Sequence, residues 1–208
     1  MMLSDINLPV ILAAALMNSA SPGPANLTIA GTAMHDGRRP ALALAAGVLT
    51  GSISWSIMAA LGFSALMLTH AWLATAMRYA AAFYLLYLAV KSARSAIAGA
   101  KAQMTIGPPM SLRRAYLKGL ALHLTNPKPI LFFGALFAIG VPPGTPSETL
   151  TLVIASIGAM NFWVFLGYAL AFSSPVAVRG YLRLKRWIEA AFALMFGAAA
   201  IKILTARL

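Results

Sequence analysis

The chain has 208 residues, of which 61% are hydrophobic and 10% are charged, and its mean hydropathy is +0.82. Average soluble domains are about 45–50% apolar and about 25% charged, so a water-soluble core cannot absorb this much apolar surface. The absence of cysteine excludes disulfide frameworks and thiolate metal sites. These properties predict a membrane protein.

The formal net charge is +12, from 16 lysines and arginines against four acidic residues. In a soluble protein this excess would suggest a nucleic-acid partner. Here the basic residues lie between apolar stretches, as they do in the cytoplasmic loops of membrane proteins. We therefore expect no nucleic-acid partner and no cofactor.

Six apolar stretches are long enough to cross the hydrocarbon core, which requires about 20 residues in a helix. The predicted spans lie roughly at residues 6–34, 40–68, 74–93, 114–141, 149–173 and 187–206. The first stretch resembles the core of a signal peptide, but Met1–Asn7 contains no lysine or arginine. We therefore expect it to stay in the mature protein.

Basic residues concentrate after the first, third and fifth predicted spans, where they number twelve. They are Arg38, Arg39, Lys91, Arg94, Lys101, Arg113, Arg114, Lys118, Arg179, Arg183, Lys185 and Arg186. Because positive loops stay in the cytoplasm, both termini are predicted to be periplasmic. The localisation expected is that of a multi-pass protein of the bacterial inner membrane.

The longest predicted loop, residues 95–112, carries Gly-Pro-Pro at 107–109, which disfavours a helix there beyond its start. It divides one transmembrane domain, residues 1–208, into a first repeat of about 1–94 and a second of about 113–208.

Two P-x-P tripeptides mark the first span of each repeat, Pro22-Gly23-Pro24 and Pro127-Lys128-Pro129, at an offset of 105 residues. Three spans per repeat give the two repeats opposite orientations. A helical rise of about 1.5 Å per residue puts the first tripeptide about 16 Å, and the second about 18 Å, from the cytoplasmic end. This pattern predicts an all-α membrane fold of two inverted three-helix repeats, in which helices 1 and 4 are broken.

The residues before the prolines favour a restarted helix over a simple kink. Ser21-Pro22 and Asn126-Pro127 each pair an N-cap residue with proline at the first helical position. A restart leaves free N–H groups and about half a positive charge, which in a membrane must face protein or a watery cavity. The alternative is a proline kink in an ordinary packed helix. Two matched breaks favour a transport site.

Around these residues the chain resembles the LysE/RhtB family of amino-acid exporters. The resemblance rests on "SPGPANLTIAGTAMHDGRRPALALAAGVLTG" (21–51), "YAAAFYLLYLAV" (79–90), "LTNPKPILFF" (124–133) and "AIKIL" (200–204). It implies a secondary exporter of amino acids or related metabolites, driven by a proton or cation gradient. Some members carry an acid in span 2, where this chain has only serines in "GSISWS", so we expect a neutral amino acid.

The restarting helices would receive the α-carboxylate, and carbonyls near Ala20 and Thr125 would receive the α-ammonium. The predicted substrate-binding residues are Ser21, Pro22, Gly23, Pro24, Asn26, Thr125, Asn126, Pro127, Lys128, Pro129 and Asn161.

Three residues are candidates for proton coupling: Lys128, His123 and Asp36. Lys128 is the one basic residue deep within a span, where a charge indicates function unless it reaches the interface. His123 lies one turn before Asn126 and titrates near physiological pH, although a lone histidine is more often a packing residue.

The two acids at the cytoplasmic ends have a simpler interpretation as members of local ion pairs. Asp36 lies next to Arg38 and Arg39, and Glu189 lies near Arg186. Gly47 and Gly51, four residues apart in span 2, predict close helix packing.

The sequence favours neither a metal-cation exporter nor a membrane enzyme. A metal-cation exporter would need intramembrane carboxylate or histidine clusters, and a membrane enzyme would need a motif such as H-E-x-x-H; neither pattern is visible in the spans. A nucleotide-binding loop is also missing, so a gradient would supply the energy. The expected partners are a small-molecule substrate, a coupling ion and membrane lipid, and a homo-oligomer stays open.

Overall fold

A computed structural model describes residues 6–69, 71–98, 110–142 and 144–205. In this part of the chain there are eight α-helices and no strand, which confirms the predicted helical class. The helices are α1 (Leu8–Ala20), α2 (Pro24–His35), α3 (Arg38–Thr69), α4 (Ala71–Ala98), α5 (Leu112–Leu124), α6 (Pro127–Gly140), α7 (Ser147–Ala171) and α8 (Pro175–Thr205). Most of the predicted loop 95–112, including Gly-Pro-Pro at 107–109, lies outside the described residues.

Three of the described helices contain stretches long and apolar enough to cross a membrane: Arg38–Gly62, Ser147–Ala171 and Pro175–Thr205. Leu8–Ala20 and Pro127–Phe137 are shorter apolar helices. Large apolar side chains cover the outside of the helices; Trp163 is 69% exposed and Leu194 is 76% exposed. Soluble monomers rarely expose apolar surface on this scale, which indicates a membrane protein.

The chain leaves helical geometry within the first tripeptide, between Ala20 and Pro24, and just before the second, at Thr125 and Asn126, but the caps differ. Asn126 is the N-cap of α6, as predicted, and its Oδ1 accepts a hydrogen bond from the Lys128 amide at 3.0 Å. The cap predicted at Ser21 is wrong. The Ser21 amide donates to Met17 O and its Oγ donates to Asn18 O, so Ser21 closes α1 instead. The N-cap of α2 is Gly23, which has extended backbone angles and no side chain to offer.

Several helix ends differ from the predicted spans. The last span was predicted to begin at residue 187, whereas α8 begins at Pro175, so the basic residues 179–186 are helical. Hydropathy detects where a segment becomes apolar, while a helix begins where the backbone is capped, and proline suits the first helical position. Only Asp36 and Gly37 separate α2 from α3, and Gly37 makes this turn with a φ of 87°.

Helices α3 and α5 approach until their backbones touch. A Cβ on Gly47 would overlap the carbonyl oxygen of Tyr116, and a Cβ on Gly119 would overlap that of Leu44. The close packing predicted for Gly47 is therefore observed. Glycine is needed on both helices because any side chain would push the backbones apart.

Two apolar clusters, separated along α3 and α7, form the core. One gathers α1, α6 and α7 around Phe133 and Ile157, and the other gathers α2, α3 and α5 around Ile29 and Val48. Between them α3 carries buried Ser52 and Ser56, and α7 carries buried Asn161. A polar layer is thus enclosed between two apolar ones, at the level of the helix breaks.

Candidate functional site

A cavity of about 30 Å³ lies in this polar layer, where the ends of α1 and α5 meet the starts of α2 and α6. This volume equals about one water molecule's share of liquid water. Side chains from α1, α2, α3, α5, α6 and α7 enclose it, so every element at the breaks contributes to one site.

The ammonium of Lys128 connects the two breaks. The side chain is 6% exposed, and Nζ donates to Ser21 O at 3.2 Å and to Ser21 Oγ. Among the described residues the one ion pair within 4.0 Å joins His35 and Asp36, so Lys128 is not paired with a carboxylate there. A buried cation held only by neutral oxygens is strongly disposed towards an anion.

Gly23 provides the space that this ammonium occupies. A Cβ built on Gly23 would lie 3.3 Å from Lys128 Nζ and 3.5 Å from Lys128 Cδ. The offset of 105 residues makes Gly23 the counterpart of Lys128. One tripeptide therefore supplies the charge, and the other supplies the room for it.

Asn26 of α2 and Tyr168 of α7 form hydrogen bonds with the end of α1. Asn26 Nδ2 donates to Ser19 O at 2.6 Å and to Ser21 O at 3.0 Å. Because both acceptors are carbonyls, the amide nitrogen must face them. The Tyr168 hydroxyl donates to Ala20 O at 2.8 Å. The Ala20 carbonyl, expected from the sequence to receive a substrate ammonium, thus already accepts a hydrogen bond from α7.

Three buried residues that line the cavity, Asn26 through its Oδ1, Asn161 and His123, present polar atoms without partners in the described structure. Asn161 Nδ2 donates to Ser52 Oγ at 2.8 Å, while its Oδ1 is unpartnered in the described structure. Both ring nitrogens of His123 are also buried and unpartnered there, and the ring packs edge-on against Phe165. Leaving such a group unsatisfied costs about 1–3 kcal/mol, so these atoms are poised to bond a polar ligand.

Most of the predicted site residues surround this cavity. Those that line it are Ser21, Gly23, Asn26, His123, Asn126, Lys128, Pro129 and Asn161. The others, which are not among its lining residues, are Pro22, Pro24, Thr125, Pro127 and Asp36. The exposed side chain of Thr125 donates back to Ala121 O at 2.9 Å, within α5. Asp36 caps α2 at its far end.

Six lining residues were not predicted: Asn18, Ser19, Ala25, Ser52, Phe133 and Phe165. One of them carried a signal in the sequence, since the offset of 105 residues also relates Asn18 to His123. Ser52 lies on another helix and reaches the site only because α3 packs against α5 and α7.

The partners predicted for the two acids are wrong. Asp36 pairs with His35 Nδ1 at 2.7 Å rather than with Arg38 or Arg39, because α3 begins with those arginines beyond the Gly37 turn. Glu189 Oε1 accepts a hydrogen bond from Ser95 Oγ at 3.0 Å, and no ion pair to Arg186 is present. Glu189 faces α4 and is 5% exposed, whereas Arg186 is exposed.

Comparison with known proteins gives the chain a family. The model of the LysE type translocator family matches residues 16–207. The threonine efflux protein of Escherichia coli (strain K12) is 29% identical over 190 residues, which cover 90% of this chain and 92% of that protein. The homoserine/homoserine lactone efflux protein of Salmonella typhimurium is 30% identical over 153 residues, 73% of each chain. No solved structure is significantly similar. The resemblance seen in the sequence is confirmed: the chain belongs to the LysE type translocator family.

Proposed function

We propose that the protein is a secondary active exporter of a neutral, hydroxyl-bearing amino acid, such as threonine, across the bacterial inner membrane in exchange for protons. The class of substrate follows from membership in an amino-acid efflux family and from the names of the relatives. The site residues support the more specific assignment.

The observation that carries the proposal is the buried ammonium of Lys128 without a carboxylate partner among the described residues. It lies where α2 and α6 begin, and helix N-termini favour anions. Three positive groups thus converge on one cavity. The α-carboxylate of an amino acid supplies the missing charge and would replace Ser21 as the partner of Lys128.

The unpartnered polar atoms extend the site toward a hydroxyl group. His123 on α5 and Asn161 on α7 also line the cavity, and both have buried polar atoms without partners in the described structure. A hydroxyl can both donate to and accept from such groups. These contacts favour threonine or homoserine over an apolar amino acid of the same size.

We propose that the eight helices form six spans in two inverted halves. In each half, two short helices make one discontinuous span: α1 with α2, and α5 with α6. Helices α3 and α4 correspond to α7 and α8, and each of these corresponding pairs packs together. The halves are residues of about 1–94 and 113–208, joined by the segment 95–112.

Transport requires this arrangement to open. A cavity of about 30 Å³ admits one water but no amino acid. We propose that the halves rock about the breaks and expose the cavity to each side in turn. The positive loops put both termini in the periplasm. The sequence candidates for carrying the proton are Lys128, His123 and Asp36.

Export of a metal cation, the main alternative from the sequence, is less favoured. The ammonium of Lys128 lines the cavity and repels cations. In the part of the chain that the structure describes, no group of three or more histidine, cysteine or acidic side chains could hold a metal ion.

Counterflow in proteoliposomes tests the proposal. Vesicles loaded with unlabelled threonine are expected to take up labelled threonine and homoserine, and to exclude lysine. Valine, which has the shape of threonine but no hydroxyl, is expected to compete at least about tenfold less well, because buried polar groups reject an analogue that leaves them unpaired. The absence of counterflow for every amino acid would refute the proposal. Equal competition by valine would refute only the proposed contacts with the substrate hydroxyl.

A further inference from the structure

We propose that Glu189 is the proton-binding group that couples transport to the proton gradient, through its contact between the two halves of the protein. This inference rests on the proposed exporter function. The sequence suggested only a local ion pair for Glu189, and the structure shows a different environment.

Glu189 is a buried carboxylate without a cation beside it. It is 5% exposed, and its Oε1 accepts a hydrogen bond from Ser95 Oγ at 3.0 Å. No lysine or arginine of the described structure lies within 4.0 Å of it. The carboxylate carries a charge that no ion-pair contact offsets in the described structure, and binding a proton removes that charge.

Glu189 lies within the last of the proposed membrane spans. Glu189 is fourteen residues after the start of α8 and sixteen before its end. At about 1.5 Å per residue it lies about 24 Å from the outer end of a span that needs about 30 Å of hydrocarbon. The carboxylate is therefore inside the membrane, toward the cytoplasmic side.

Several titratable groups lie on the helices near Glu189, and some of them also belong to the cavity region. None of those described forms an ion pair with its carboxylate. On the elements near it they are Lys91, Arg94, Tyr84 and Tyr87 of α4, Lys128 of α6, Tyr168 of α7, and Tyr181, Lys185 and Arg186 of α8. Lys128, Tyr168 and Tyr181 lie within electrostatic range of Glu189. Lys128 and Tyr168 are the side chains that hold Ser21 and Ala20 at the first break. A proton on Glu189 thus changes the field at the substrate site.

Protonation of Glu189 would change its hydrogen bond with Ser95, which joins α8 to α4. Ser95 lies in the last turn of α4, the final helix of the first half, one residue beyond the approximate boundary of that half, and Glu189 belongs to α8 in the second half. An ionised carboxylate only accepts hydrogen bonds, whereas a carboxylic acid also donates one. Protonation therefore adds a donor at Glu189, so the hydrogen bond between α4 and α8 can reverse its direction or exchange its partner. In the cycle, a carboxylate oxygen takes one proton from the outer side and returns it to water on the inner side, in exchange for one substrate molecule.

The test compares wild type with Glu189→Gln in full-length protein in proteoliposomes, by two assays. In counterflow at equal pH, E189Q is expected to stay within about twofold of wild type, since exchange needs no net proton movement. With an acidic interior, one proton per substrate supports up to about tenfold accumulation of threonine per pH unit in wild type. E189Q is expected to show no accumulation above the external concentration.

Two control variants make the result specific. Glu189→Asp retains a carboxylate and is expected to keep gradient-driven accumulation. Glu148→Gln removes an exposed acid at the start of α7 and is expected to behave as wild type in both assays.

The second measurement is proton release on threonine binding to the detergent-solubilised protein. Wild type is expected to release about one proton per chain, and E189Q is expected to release none.

Gradient-driven accumulation by E189Q at the wild-type level would overturn the inference. So would loss of counterflow in E189Q that is correctly inserted and monodisperse, because this would make Glu189 a structural or substrate-binding residue. An absence of proton release from wild type would also overturn it. A wild type without counterflow refutes the exporter function itself, which distinguishes the two failures.

Discussion

Lys128 is held by oxygen atoms of a single residue, Ser21, that is 107 positions away in the chain. Neither oxygen carries a formal charge, so the hydrogen bonds satisfy the ammonium without neutralising it. Hydrogen bonds that involve a charged group contribute about 1.5–3 kcal/mol. In the proposed site, a substrate carboxylate would offer Lys128 a charged acceptor in place of two neutral ones, and this difference would favour binding.

Replacing Lys128 with Met is expected to lower threonine counterflow by at least about tenfold. Loss of about 1.5–3 kcal/mol in a hydrogen bond to a charged group corresponds to a factor of roughly 10–150. Amounts of inserted protein should match wild type, because methionine fills a similar volume. Lys118→Met, at an exposed position of α5, is the matched control and should transport normally. Wild-type counterflow in K128M would remove Lys128 from the mechanism.

Individual site residues differed in how far the sequence could locate them. Lys128 and Asn126 were predictable because an intramembrane charge and an Asn-Pro cap have local physical causes. Thr125 was predicted for the site, but its carbonyl and side chain belong to the last turn of α5 and the side chain is exposed. At a helix break, adjacent side chains point in different directions. The sequence does not show which of them faces inward.

At the scale of helices, α3 and α5 are in backbone contact and cannot move closer together. Gly47 and Gly119 put the two backbones in direct contact, and Gly51 makes room for His123, whose Cβ would lie 2.9 Å from an added Cβ. The same contact therefore sets the position of a cavity residue. Motion between the halves must occur at other contacts, and α4 with α8 is the largest other contact between them.

Replacing Gly47 with Ala is expected to destabilise the protein. The added methyl group would meet the backbone of Tyr116 and Leu120, which cannot move without shifting α5. Overpacking costs about 1–3 kcal/mol or more, and for a chain of this size each kcal/mol lowers the melting temperature by about 2–4 °C. The measurement is thermal unfolding of the detergent-solubilised protein.

Gly62→Ala in the same helix is the control for this substitution. An added Cβ there meets nothing within 4 Å, so helix propensity alone applies and the melting temperature should stay equal or rise slightly. If G47A were as stable as G62A, the two backbones could not be in contact as described.

For the molecule as a whole, the proposed topology depends on counting each pair of short helices as one span. Helices α5 and α6 contain 13 and 14 residues, so neither alone reaches across about 30 Å at about 1.5 Å per residue. Together they do. The start of α5 and the start of α7 should consequently lie on opposite sides of the membrane.

Single cysteines can test this topology, because the natural chain contains none. Ser147→Cys, at the exposed start of α7, is expected to react with an impermeant maleimide in intact cells. Leu112→Cys, at the exposed start of α5, is expected to react only after the cells are permeabilised. The unsubstituted chain serves as the control for background labelling. Reaction of both positions from the same side would rule out a single crossing by α5 and α6.

The sequence by itself determined the membrane class, the helical fold, the family and the two places where helices end and begin again, beside the P-x-P tripeptides. Each of these follows from local chemistry: apolar content, the missing amide of proline, and the short-range preference of asparagine for a cap. Tertiary structure alone decided that Ser52 and Phe165 join the cavity, that Gly23 is the space for Lys128, and that Glu189 meets Ser95 rather than an arginine. Those facts depend on the rotation and packing of helices about 100 residues apart in the chain, and hydropathy carries no information on the direction in which a buried side chain points.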